Sequence, residues 1–131
     1  MQATQPVFTY RDLIVWQKSI DLVAAVYVLT ASFPRAEIYG LISQMRKAAV
    51  SIPSNIAEGR RRGTKNDFLH FLRISYGSGA ELETQIEIAK RLQFTKPLVS
   101  ANAESLLNEV MRMLNIMLKK MNPNAANEAT S

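Results

Sequence analysis

Apolar residues recur along this chain at alternating steps of three and four, the spacing of a helix that buries one face. Leu13, Trp16, Ile20, Val23, Tyr27 and Thr30 make the first such seam. Val15, Leu22, Val26 and Leu29 run beside it as a second stripe. Two stripes predict a wide apolar face with more than one neighbour. A second helix follows on Leu41, Met45, Ala48, Ile52 and Ile56, and so crosses Pro53. Phe68, Leu72, Ser75, Gly79, Leu82, Ile86 and Ala89 predict a third, and Ala103, Leu107, Val110, Leu114, Met117 and Met121 a fourth. No stretch alternates with period two. The expected fold is all-α, an antiparallel up-down-up-down four-helix bundle.

Punctuation agrees with these limits. Thr9 or Asp12 suits the N-cap of the first helix, and Phe33-Pro34 ends it. Thr64 with Asp67 fits the cap of the third helix, and Pro97 the first turn of the fourth. Gly59 is a natural C-cap for the second helix, with Arg61 or Arg62 as the later alternative. Residues 1–9 read as a flexible arm, 10–122 as the bundle, and 123–131, after Asn122-Pro123, as a disordered tail. Leu106, Met111, Met113 and Leu118 add apolar surface beyond the seams, which points to self-association. The small residues Gly77, Ser78, Gly79 and Ala80 predict the close approach of another helix, or of a bulky partner such as Trp16 or Tyr39.

The stretch Ser51-Ile52-Pro53-Ser54-Asn55-Ile56-Ala57-Glu58-Gly59 is unlike a plain core helix. Proline inside a helix costs about 3 kcal/mol. A buried Asn or Glu is costly unless paired. The hydroxyls of Ser51 and Ser54 are candidates to meet the carbonyls that Pro53 frees. Asn55 and Glu58, with Glu81, Gln85 and Arg46, are expected to form a polar network that fixes register, Glu81 lying near Ser43 and Arg46.

Composition narrows the chemistry. The 131 residues are 47% hydrophobic and 21% charged, with no cysteine and one histidine, His70. Disulfides, thiolate metal sites and cysteine nucleophiles are excluded. No Glu-x-x-His pair accompanies Glu58, Glu81 and Glu83, so a di-metal carboxylate site is not expected. No nucleophile elbow or phosphate-binding glycine loop is present, and neither an enzyme nor a cofactor is expected. No apolar run is long enough to span a bilayer and no signal peptide is apparent, so the cytoplasm is expected. The net charge of +5 favours an acidic partner, RNA or DNA foremost. Arg46, Lys47, Arg60, Arg61, Arg62 and Lys65 are the expected phosphate contacts. Basic residues at helix C-termini also complement the helix dipole, a purely structural role for Arg60–Arg62, Lys90-Arg91 and Lys119-Lys120.

Several segments in order carry a family likeness. They are Phe8-Thr9-Tyr10-Arg11-Asp12-Leu13-Ile14-Val15-Trp16-Gln17-Lys18; Phe33-Pro34 with Glu37-Ile38-Tyr39-Gly40-Leu41; Gln44 through Gly59; and Gly77-Ser78 with Glu81-Leu82-Glu83-Thr84-Gln85. Over residues 8 to 120 the chain closely resembles the bacterial four-helix proteins encoded in intervening sequences of 23S ribosomal RNA genes, once labelled S23 ribosomal proteins. The same family includes the accessory variability determinant of diversity-generating retroelements. The resemblance implies a protomer that assembles into a barrel-like homopentamer. For the retroelement members it implies nucleic acid and a reverse transcriptase as partners. The expectation is a non-enzymatic homo-oligomer binding nucleic acid. The alternative is a protein–protein scaffold or adaptor, for example an accessory subunit for a reverse transcriptase.

Overall fold

The computed structural model describes residues 8–122. The disordered tail expected from residue 123, and the arm as far as residue 7, lie outside the described residues. Phe8 and Thr9, assigned above to the arm, belong to the folded end. The Thr9 amide donates to Asp12 Oδ2 at 2.7 Å, and Thr9 Oγ1 accepts from the Arg11 amide. This pair closes a one-turn 3-10 helix, Tyr10–Asp12, rather than α1 itself.

Four helices follow: α1 Ile14–Thr30, α2 Leu41–Arg61, α3 Lys65–Arg91 and α4 Pro97–Met121. A second 3-10 turn, Arg35–Glu37, leads into α2. Each helix packs on two others: α1 on α2 and α4, α3 on α2 and α4. The diagonal neighbours stay apart across the core. Successive helices run antiparallel, so the fold is the expected four-helix bundle.

The seams of α2, α3 and α4 are where the spacing puts them. Met45, Ala48, Ile52, Ile56, Leu72, Leu82, Ile86, Leu107, Val110 and Leu114 are all buried. In α1 the two stripes exchange roles. Val15, Ser19, Leu22, Val26, Leu29 and then Phe33 face the core, while Ile20 and Tyr27 are exposed. This register also steps by four and three. A serine at its second position hides it in the sequence. Ser19 costs little there because its hydroxyl donates to Trp16 O at 2.7 Å. Tyr27, displaced to the flank, carries the Arg46 guanidinium 4.4 Å from its ring centroid.

The α2–α3 contact is the most extensive in the bundle. Helix α2 runs unbroken through buried Pro53. Pro53 frees the carbonyl of Ala49, four residues earlier, but the side-chain donors near the proline serve other carbonyls. Ser75 Oγ reaches across from α3 to Ile52 O at 2.9 Å, and Asn55 Nδ2 donates to Ser51 O at 2.8 Å. Ser51 Oγ accepts from Asn55 Nδ2 and from Ser78 Oγ, both at 2.9 Å. Ser54 is exposed. The register-fixing network is therefore Ser51, Asn55, Ser75 and Ser78. Glu58 stands outside it, accepting from Arg62 Nη2 at 3.0 Å on the surface. Glu81 is exposed and meets Gln85 Nε2 at 3.4 Å on its own helix. Arg46 turns instead to α1, its Nε donating to Thr30 Oγ1 at 2.9 Å.

Two glycines set helix separations. A Cβ on Gly59 would lie 2.6 Å from Phe71 Cβ, so this residue lets α3 close on the end of α2. The helix continues past it to an Arg62 C-cap, and Gly63, at φ 86, takes the left-handed turn. The C-cap expected at Gly59 thus falls at the later of the two expected places. A Cβ on Gly79 would overlap the Met111 side chain of α4. The small-residue patch thus admits another helix, α4 through Met111, rather than Trp16 or Tyr39.

At the far end, α3 and α4 are joined by charge. Lys90 Nζ donates to Glu104 Oε1 at 3.0 Å and Ser100 Oγ to Glu104 Oε2 at 2.8 Å. Partial burial pushes the Glu104 carboxyl up, but the bonds from Ser100 and Lys90 and the ammonium charge together hold it below its ordinary value.

Glycine substitutions separate packing from propensity. Gly77 has open space around it, so Gly77→Ala is expected to stabilise by roughly 0.5–1 kcal/mol through helix propensity. Gly59→Ala is expected to destabilise by about 1–3 kcal/mol, because Phe71 Cβ is tied to the α3 backbone and cannot swing aside. Urea midpoints of the two variants should move in opposite directions. A depressed carboxyl stabilises the folded state above its unfolded pKa, and that contribution is lost as pH falls through the folded pKa. Glu104→Gln is therefore expected to cost most at neutral pH, the gap to wild type shrinking as pH drops below 4.5. Urea unfolding across pH reads this directly.

Candidate nucleic-acid interface

Antiparallel packing gathers one end of the bundle from distant parts of the chain. The C-terminal turn of α2 supplies Arg60, Arg61 and Arg62, and Lys65 opens α3. The 3-10 turn Tyr10–Asp12 packs against α2 here, bringing Arg11. Lys119 and Lys120 close α4 at the same end.

Each arginine of the triplet rests on an aromatic ring. Arg60 lies 5.4 Å from the Phe8 centroid and 5.9 Å from that of Phe68. Arg61 is 5.5 Å from Tyr10, and Arg62 is 5.3 Å from Phe71. Arg11 lies over both Tyr10 and Trp16, at 5.7 and 5.6 Å, and those two rings meet edge to face. His70 also meets Phe71 edge to face. Consecutive helical residues point about 100° apart, so the triplet fans out, and its members meet different rings of two neighbours, the segment before α1 and the start of α3. Stacking on a ring face leaves the in-plane N–H fork of a guanidinium free to donate.

Among the described residues, Arg62 is the member of the triplet within ion-pair distance of a carboxylate; Arg60, Arg61 and Lys65 have none. The opposite end differs. There Lys90 pairs with Glu104 and Arg91 with Glu87, each at 3.0 Å. Among the described residues, two of the three basic residues there, Lys90 and Arg91, are paired and Lys96 is not, whereas here only Arg62 is.

The six expected phosphate contacts divide. Arg60, Arg61, Arg62 and Lys65 come together at this end. Arg46 and Lys47 do not join them, since α2 advances about 21 Å between Arg46 and Arg60 at ~1.5 Å per residue. Arg46 is held by Thr30 and Tyr27, while Lys47 is exposed beside Tyr27, Ile38, Ser43 and Val50. Of the motif residues, Gly59 and Glu58 touch the interface, the first by seating Phe71 and Phe68 beneath the arginines, the second by holding Arg62. Sequence reasoning did not assign Phe8, Tyr10, Phe68, Phe71 or Arg11 to this interface. The signal was available: aromatics flank the starts of two helices that an antiparallel bundle places beside the C-terminus of α2.

Among the described residues no group of three or more His, Asp or Glu side chains is placed to hold a metal ion. None of the described helices is long and apolar enough to cross a membrane.

A search of the curated proteins finds no match to the chain. Among solved structures it is similar to a protein of unknown function from the S23 ribosomal protein family of Bacteroides thetaiotaomicron, known from a crystal structure at 1.70 Å resolution. The two share 19% identity with a TM-score of 0.72, over 81% of this chain and 99% of that one, a likeness of fold. Residues 11–116 match the family described as 23S rRNA-intervening sequence protein. That match spans most of the length from the Tyr10–Asp12 turn to the last turns of α4, and the chain belongs to the 23S rRNA-intervening sequence protein family.

Proposed function

We propose that this protein is a non-enzymatic homo-oligomer that binds nucleic acid through the arginine-rich end of its bundle. One observation carries the reading. Arg60 and Arg61 stand exposed with no carboxylate within reach among the described residues, each held in place by a ring, with Lys65 at the same turn. Preplaced guanidinium groups suit phosphate oxygens, and holding them in advance lowers the entropy lost on binding. Arg46, already engaged by α1, is left with a structural role.

Self-association rests on the apolar surface. Leu13, Ile14, Met113, Ile116 and Met117 line an open groove between α1 and α4, and Val28 and Leu98 are 76% and 89% exposed. In a ring of copies, the family's expected pentamer, each arginine cluster repeats around the axis and the fields add. A second reading, a scaffold for a protein partner such as a reverse transcriptase, draws on the opposite end, where Tyr39 is 94% exposed. That reading expects negligible nucleic-acid affinity at physiological salt and capture of one specific protein.

Phosphate contacts release counterions, so affinity for RNA or DNA should fall steeply with salt. Reversing Arg60, Arg61 and Arg62 together to Glu is expected to weaken binding at least about tenfold at ~0.1 M salt and to flatten the log–log slope by roughly 2–3. Fluorescence anisotropy across salt measures both, with circular dichroism confirming that the helices persist. A flat salt response, or unaltered binding by the variant, refutes the proposal. Multi-angle light scattering is expected to give a multiple of the 14.7 kDa chain mass; a single-chain mass removes the oligomer.

A further inference from the structure

We infer that the arginine-rich end is a stacking platform for single-stranded nucleic acid, preferred over duplex. This rests on the nucleic-acid reading above and specifies its ligand. The argument comes from the rings rather than the charge. A site that bound only phosphates would need guanidinium and ammonium groups alone. Here aromatic rings from the segment before α1 and from the first turns of α3 surround the end of α2. Phe8 is 56% exposed, even with Arg60 beside it. Tyr10, Trp16 and Arg11 form a second group on the Arg61 side, the guanidinium of Arg11 near both rings.

A base has two flat faces. In a single strand those faces are available, and a base can stack on Phe8 or on the open side of a ring-held guanidinium while the arginine edges donate to the adjoining phosphates. In a duplex the faces are already stacked on neighbouring base pairs. Only the phosphates reach the protein, and the rings contribute nothing. Sequence preference is not expected, because every base offers a π-face. The same end should therefore discriminate by strandedness, not by sequence.

The test is fluorescence anisotropy with three probes on the full chain: a labelled thymidine homo-oligomer, a duplex of the same length, and inorganic polyphosphate as competitor. The single strand is expected to bind about tenfold or more tighter than the duplex at ~0.15 M salt. Phe8→Ala is expected to lower single-strand affinity about five- to tenfold, with duplex affinity within about twofold; Phe8→Trp should retain it. Phe8 is more than half exposed, so its truncation leaves the core intact. Trp16 is the chain's one tryptophan, so its emission should shift when the strand binds and stay fixed with polyphosphate. Equal affinity for single strand and duplex, or a Phe8→Ala protein that binds the strand as wild type does, overturns this inference and leaves the nucleic-acid reading standing. Binding to neither nucleic acid overturns both.

Discussion

The close approach of α2 and α3 is the constraint on which the rest of the structure depends. Three contacts fix it along its length: Ser78 on Ser51, Ser75 on the Ile52 carbonyl, and Phe71 against Gly59. Each fails if the helices part or slide by a turn. The polar contacts sit within a turn of Pro53 and set the register. A buried hydroxyl donating to a main-chain carbonyl contributes about 1 kcal/mol, but a slip would leave such groups unpaired in the core, at a larger cost. Specificity of packing is the greater effect of these serines.

That register has a consequence at the basic end. With Gly59 pressed on Phe71 and Phe68, the three residues that follow leave the bundle beside the aromatic first turns of α3. The segment before α1, closed by Thr9 and Asp12, adds Phe8 and Tyr10 on the other side. Arg60 and Arg61 thus rest on rings with no acidic partner among the described residues, while Arg62 has both a ring and Glu58. At the other end Lys90 and Arg91 lie beside Glu104 and Glu87, whose opposite charges offset part of their field. Two clusters that serve equally as helix C-terminal counter-charges differ in how much of their field is still available to a ligand.

Much of the fold was legible in the chain. The seams of α2, α3 and α4, the Thr64 cap and Pro97 as the first residue of α4 follow from spacing and local chemistry. The α1 register was not legible, because two stripes of equal period compete and the true one contains Ser19. A sequence ranks that stripe lower, while the structure satisfies the hydroxyl locally at Trp16 O. The polar network was half legible. Asn55 does join it, but Glu58 finds Arg62 one turn away on the surface, and a solvated pair is cheaper than a buried carboxylate. Of the expected phosphate contacts, the run Arg60–Arg62 with Lys65 was legible as a cluster because it is continuous in sequence. Arg46 lies some turns upstream on the same helix, and that it would meet Thr30 and Tyr27 of α1 was not legible, because charge alone does not say what a residue packs against.

The sequence by itself determined four helices, some of their limits and the family, since these follow from periodicity, capping and the order of local motifs. It also placed three arginines at a helix end. Only the tertiary structure decided what stands beside them. Phe8, Tyr10, Phe68 and Phe71 meet Arg60, Arg61 and Arg62 because antiparallel packing returns separate parts of the chain to one end, and no local rule encodes that meeting. Whether an arginine is paired or free is a property of distance in space, and distance in space is settled by how the helices pack.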